Sequence, residues 1–143
     1  SLVRIVCSYF AKAKSYCDVP TEAGKRSCSA DQVRSDGVEY IVGAALQSFD
    51  ADAVYVDLDL GVLDRAFAPA APGSRPGGLT PAEMRTAARL CGEFAKVRVL
   101  DLVEVDPSQD IADQTSLAAA ACLLSFASGV HRRCSRSLAA HLS

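Results

Sequence analysis

The stretch "AVYVDLDL", Ala53 to Leu60, constrains this chain more than any other. It is a near-continuous apolar, β-branched run, the pattern of a strand in a parallel sheet covered on both faces. Yet it carries Asp57 and Asp59 two positions apart, which places both carboxylates on one face of the strand. Like charges at that spacing raise each other's pKa unless a cation or a hydrogen-bond donor offsets them. Gly61 then breaks the run, and Asp64 follows.

Around this strand, the chain alternates between strand and helix patterns. "LVRIV" at Leu2–Val6 is a short β-branched strand, and "YFAKAKSYCDVPTEAG" at Tyr9–Gly24 has weak helical periodicity, interrupted by Pro20 and closed by Gly24. Ser29 with Gln32 forms a capping-box signature, and Val33, Val38, Ile41, Val42, Ala45 and Leu46 form a stripe that predicts one helix running through Gly37 and Gly43. After the loop "APAAPGSRPGG", Thr80, Pro81 and Glu83 start a second helix, "PAEMRTAARLCGEFA". "KVRVLDLVEV", Lys96–Val105, reads as the next strand, ended by Asp106-Pro107. An Ala/Leu-rich helix is expected from about Asp113 to Ser128, with "HRRCSRSLAAHLS" as a short final helix. The fold class is therefore α/β, a parallel sheet with helices on both faces, in one domain spanning residues 1–143. Such sheets place ligands beyond the carboxyl ends of their strands. Asp57 and Asp59 end one strand, and Asp101 and Glu104 end another, so acidic residues collect where a site belongs.

Composition narrows the function classes. A net charge of -2 over 143 residues leaves no electrostatic footprint for nucleic acid, and no apolar run is long enough to predict a membrane span. The opening "SLVRIVCSYF" lacks the features of a signal peptide and an initiator Met, so the expectation is a processed or truncated piece located in the cytoplasm. Cys7, Cys17, Cys28, Cys91, Cys122 and Cys134 include no C-x-x-C pair, and no His stands at zinc-ligand spacing. Reduced, structural cysteines are expected, with a single bridge or a redox-sensitive thiol as the alternative.

Two readings stand for the aspartate pair. Hard divalent metals prefer carboxylate oxygens, so Asp57 and Asp59 are candidate metal ligands. Alternatively, Asp57 bonds to loop amides and Asp59 pairs with Arg65 or Arg75. Glu104 is likewise either a grip for a cationic substrate, since a carboxylate matches a guanidinium or amidinium in two-pronged fashion, or a structural salt-bridge partner. His131 and His141 lie among Arg132, Arg133 and Arg136 and read as a solvated helix end. The glycines of "GSRPGGL" match no phosphate cradle and suggest the wall of a site instead.

Two spaced motifs together resemble the ureohydrolase family of arginase, agmatinase and formimidoylglutamase. "DLDLGVLDRAFAPAAPGSRPGGLTPAE", Asp57 to Glu83, is similar to that family's S-F-D-I-D-x-x-D-P strand and following loop. "DLVEVDPSQDIADQTSLAAAACLL", Asp101 to Leu124, is similar to its D-x-x-E-x-[ND]-P segment and helix, with a lean towards formimidoylglutamase. The resemblance implies a three-layer α/β/α fold, here incomplete. It also implies a hydrolase with two manganese ions, whose bridging hydroxide attacks an amidine or guanidine carbon. It would make Asp59 a metal ligand, Glu104 the holder of the substrate's cationic end and Asp64 a loop-shaping residue. Departures accompany it. The second metal aspartate falls on Gly61, the proline after the third falls on Arg65, and the upstream G-G-D-H and D-A-H-x-D motifs are absent. A register shift of two, which keeps strand parity, would let Asp57 and Asp59 stand for the metal pair. The resulting expectation is a manganese-dependent amidine or guanidine hydrolase, such as one acting on formimidoylglutamate, agmatine or arginine, with little activity in this chain alone. The alternative is a non-catalytic interaction module keeping the fold. A homo-oligomer, or association with full-length relatives, is expected because a half-sheet leaves open edges. In either case, a small-molecule partner is expected and neither nucleic acid nor membrane.

Overall fold

In the computed structural model, residues 3–7 and 26–142 are described. The helical pattern expected at Tyr9–Gly24 lies outside them. Strand β1, Val3–Cys7, pairs in parallel with β2, Arg26–Ser29. Helices α1, Ala30–Asp36, and α2, Val38–Gln47, follow, then β3, Val54–Asp59, and a one-turn 3-10 segment at Leu60–Val62. Helix α3, Pro81–Glu93, leads to β4, Val97–Val103, which pairs in parallel with β3, and α4, Gln114–Leu142, ends the described chain.

The expected single helix around Gly37 is instead two. Gly37 has φ of 87°, closing α1 through its N–H to the Val33 carbonyl at 3.0 Å and turning the chain before α2. That backbone is open to glycine without a Cβ penalty, so the stripe continues in space but not along one axis. Gly43, by contrast, passes inside α2. Both predicted capping boxes form: Ser29 Oγ accepts from Gln32 N, and Thr80 Oγ1 accepts from Glu83 N, each at 3.2 Å.

A second correction concerns the chain's end, where the two expected helices are one 29-residue helix. Gly129 reads as a stop in sequence but serves as a contact. A Cβ at Gly129 would lie 2.2 Å from the Arg89 carbonyl, and one at Gly92 would lie 2.2 Å from the Phe126 carbonyl. The backbones of α3 and α4 therefore touch, as only glycines permit. The cations after Gly129 fold back onto α3. Arg132 and Arg136 reach Glu93 at 3.4 Å, and Arg133 Nη1 donates to the Phe94 carbonyl at 2.7 Å.

Val33, Val42, Val54, Leu58, Met84, Ala88, Val97 and Cys122 belong to one buried cluster that joins the helices to β3 and β4. Burying side chains of this kind stabilises by about 1.5–3 kcal/mol for each large aliphatic residue. On the other face of β3 and β4, Tyr55 is 59% and Val99 49% exposed, so no described helix packs over these two residues. Among the described residues the strands form two separate two-stranded parallel sheets, the incomplete version of a larger parallel architecture. No helix among them is long and apolar enough to cross a membrane.

Candidate active site

Parallel pairing sets Asp57 beside Asp101 and Asp59 beside Val103. Asp57 shares its sheet face with Tyr55, whose hydroxyl donates to Asp101 Oδ2 at 3.0 Å. Partial burial, then the nearby charges of Asp59 and Asp101, push the Asp57 carboxyl above its ordinary value. The Tyr55 phenol is raised too, first by its hydrogen bond to Asp101, then by burial and the charges of Asp101 and Asp57. The charge of Asp59 thus adds to the shift of Asp57, second to burial.

Asp59 ends β3 and turns its carboxylate onto the next turn, where Gly61 N donates to Oδ1 at 2.7 Å. Neither aspartate takes part in the ion pairs formed among the described residues, so the expected Arg65 or Arg75 partner is not used. Arg75 instead donates to the Pro72 and Ser74 carbonyls of its own loop.

Gly61 sits against the loop. A Cβ there would meet Asp59 Oδ1 at 2.9 Å and the Gly73 Cα at 3.1 Å. From the opposite side, a Cβ at Gly73 would lie 3.9 Å from Glu104 Oε2. Two apposed glycines thus separate the carboxylates of Asp59 and Glu104. Glu104 lies just beyond β4 rather than inside the expected Lys96–Val105 strand, and its φ of 69° is left-handed. That backbone costs an L residue roughly 1–2 kcal/mol, and such strain gathers at functional sites.

The loop that brings Gly73 into place is held from within. Asp64 accepts from Ala66 N at 2.8 Å and Gly77 N at 2.7 Å, and these bonds lower its pKa. Buried Ser74 donates to the Ala68 and Ala71 carbonyls, and Thr115 Oγ1 accepts from Ala70 N. Arg34 of α1 donates to the Gly77 and Gly78 carbonyls. Asp64 therefore shapes the loop, and the loop walls the site. Gly73 and Tyr55 escaped the sequence reading as site neighbours. For Tyr55 the signal was available, since it stands two residues before Asp57 on the same face.

The donors present are carboxylate oxygens, a chemistry suited to manganese. Their number is not sufficient: among the described residues, no group of three or more His, Cys, Asp or Glu side chains is placed to hold a metal ion. These residues alone do not fit a two-metal centre.

Comparison with known proteins agrees with this partial picture. A profile of the arginase family matches residues 7–128. The formimidoylglutamase of Halalkalibacterium halodurans is 31% identical over 130 residues, which cover 90% of this chain and 41% of that protein. The agmatinase of Chromobacterium violaceum is 34% identical over 97 residues, 68% of this chain and 30% of that one. The crystal structure of Bacillus subtilis formimidoylglutamase superposes with a TM-score of 0.81 at 28% identity, covering 91% of this chain and 42% of that one. The chain spans about two fifths of the length of the formimidoylglutamases it matches. With an arginase-like parallel sheet and a family match over most of its length, the chain belongs to the arginase family.

Proposed function

We propose that this chain is the carboxyl-terminal part of a hydrolase of linear amidines or guanidines, with a substrate such as formimidoylglutamate or agmatine. The observation that carries this reading is Glu104, whose left-handed backbone presents a carboxylate against Gly73, on the far side of the Gly61–Gly73 contact from Asp59. A carboxylate so placed accepts two parallel N–H bonds from a planar amidinium or guanidinium and orients it. Asp59, with Asp57 as its same-face neighbour, would supply carboxylate ligands to manganese, the remaining ligands coming from outside these residues. The family relationship supports the substrate class.

The test is release of ammonia, formamide or urea in the presence of added manganese. The isolated chain is expected to show no more than trace turnover, and robust turnover would overturn the view that its site is incomplete. In a chimera, residues 7–128 replace the matched region of the Halalkalibacterium halodurans protein. There, Glu104→Gln is expected to raise KM about 10-fold, the loss of one charge-assisted pair. An unchanged KM would remove Glu104 from the substrate site. A non-catalytic interaction module is the second reading, favoured by the exposed Tyr55 and Val99 on the uncovered sheet face.

A further inference from the structure

The outer groove between α3 and α4 holds more positive charge than it neutralises. Helix α3 contributes Arg85, Arg89 and Glu93, and α4 contributes Arg132 and Arg136 with, by sequence, no acidic residue from Gln114 to Leu142. Glu93 Oε1 accepts from Arg89 at 2.8 Å and from Arg132 at 3.4 Å, and Oε2 accepts from Arg136 at 3.4 Å. Desolvation pushes the Glu93 carboxyl up, but the bonds and charges of Arg89 and Arg136 outweigh it and hold it below its ordinary value. A separation of 3.4 Å is long for an N–H to carboxylate bond, so Arg132 and Arg136, with side chains 58% and 65% exposed, keep most of their donors in reserve. Arg85 joins none of the ion pairs among the described residues and turns its Nε to Ser125 Oγ at 3.4 Å.

We propose that this groove binds the diphosphate group of a small phosphorylated molecule. Four guanidiniums against the one carboxylate of Glu93 leave a surplus that a multiply charged anion offsets, and the guanidinium fork matches phosphate oxygens in pairs. The space is divided to suit two linked phosphates. Arg85, Thr86, Arg89 and Ser125 line a depression of about 220 Å³, and Glu93, His131, Arg132, Ser135 and Arg136 line another of about 410 Å³. Arg89 borders the first and reaches Glu93 in the second, and each depression adds a hydroxyl donor beside its arginines. Arg133 meanwhile donates to the Phe94 and Val97 carbonyls at the start of β4, which puts the larger depression at the opposite end of that strand from Glu104. The groove is therefore separate from the candidate active site.

Calorimetric titration of the 143-residue chain with pyrophosphate at constant ionic strength tests this, with far-UV circular dichroism as the check on folding. The parent is expected to bind pyrophosphate, and orthophosphate at least 10-fold more weakly. Arg136→Gln is expected to weaken pyrophosphate binding about 10-fold, the loss of one charge-assisted contact, and Arg85→Gln at the other end of the groove to do the same. Arg65→Gln, at an exposed position on the Asp64 loop, is expected to leave the affinity unchanged. Glu93→Gln removes the internal competitor and is expected to tighten binding about 10-fold even as it loosens α4 from α3. A parent that binds no pyrophosphate would overturn the proposal and leave the arginines the sole task of fastening α4. Equal affinity for orthophosphate, an equal loss in Arg65→Gln, or a folded Glu93→Gln that binds more weakly would overturn it as well.

Discussion

A side chain at position 61 would share its space with Asp59 Oδ1 and the Gly73 backbone, at 2.9 and 3.1 Å. The carboxylate can swing away, losing its bond from Gly61 N, but the Gly73 backbone is tied into a loop fastened by Asp64, Ser74 and Thr115. Gly61→Asp, which places an aspartate where the family resemblance implies one, is therefore expected to cost about 1–3 kcal/mol of stability, as overpacking does. Urea denaturation measures it, and an unchanged midpoint would show that the loop yields freely. The placement of Asp57 and Asp59 on one strand and of Glu104 past the end of the next was legible in sequence, because strand parity and strand ends are local properties. The apposition of Gly61 and Gly73 was not, since it arises only when the loop folds back on the strand.

At the scale of elements, α4 shows how a local reading fails for a physical reason. Glycine followed by His and Arg residues is the signature of a helix end, yet here the glycine admits a neighbouring backbone and the arginines bind across to α3. Its start is secured from outside. Asp110 accepts from Thr115 N and from both Ser116 N and Ser116 Oγ, beyond a turn whose Ala112 and Asp113 are left-handed. Partial desolvation pushes the Asp110 carboxyl up, but the bonds from Thr115 and Ser116 outweigh it and bring it down to about 2. For an acid with a depressed folded-state pKa, the stabilisation is complete above the unfolded value near 4 and fades as pH falls towards 2. Between pH 4 and pH 2 the thermal midpoint is therefore expected to fall more steeply in the parent than in Asp110→Asn, as followed by far-UV circular dichroism. Parallel slopes would mean that Asp110 does not hold the helix start. The starts of α1 and α3, by contrast, were readable outright, because a capping box is written within four residues.

For the whole molecule, the α/β class followed from alternating patterns, while strand order did not, because pairing between β3 and β4 joins residues more than forty apart. Helices α3 and α4 pack backbone to backbone at Gly92 and Gly129, and each carries a buried thiol, Cys91 and Cys122. Burial pushes Cys91 up to about 12 and Cys122, against the opposing charge of Arg85, to about 11. Cys134 is exposed on α4. A thiol reacts as its thiolate, so at pH 8 the dilute chain is expected to alkylate Cys134 before Cys91 and Cys122, those two being modified only when α3 leaves α4. Peptide mass spectrometry over a time course reads this directly, and equal rates at the three positions would contradict it. The glycine-to-glycine seam thereby equips the protein with its own clock: the delay between the first thiol and the other two records how often the helices part.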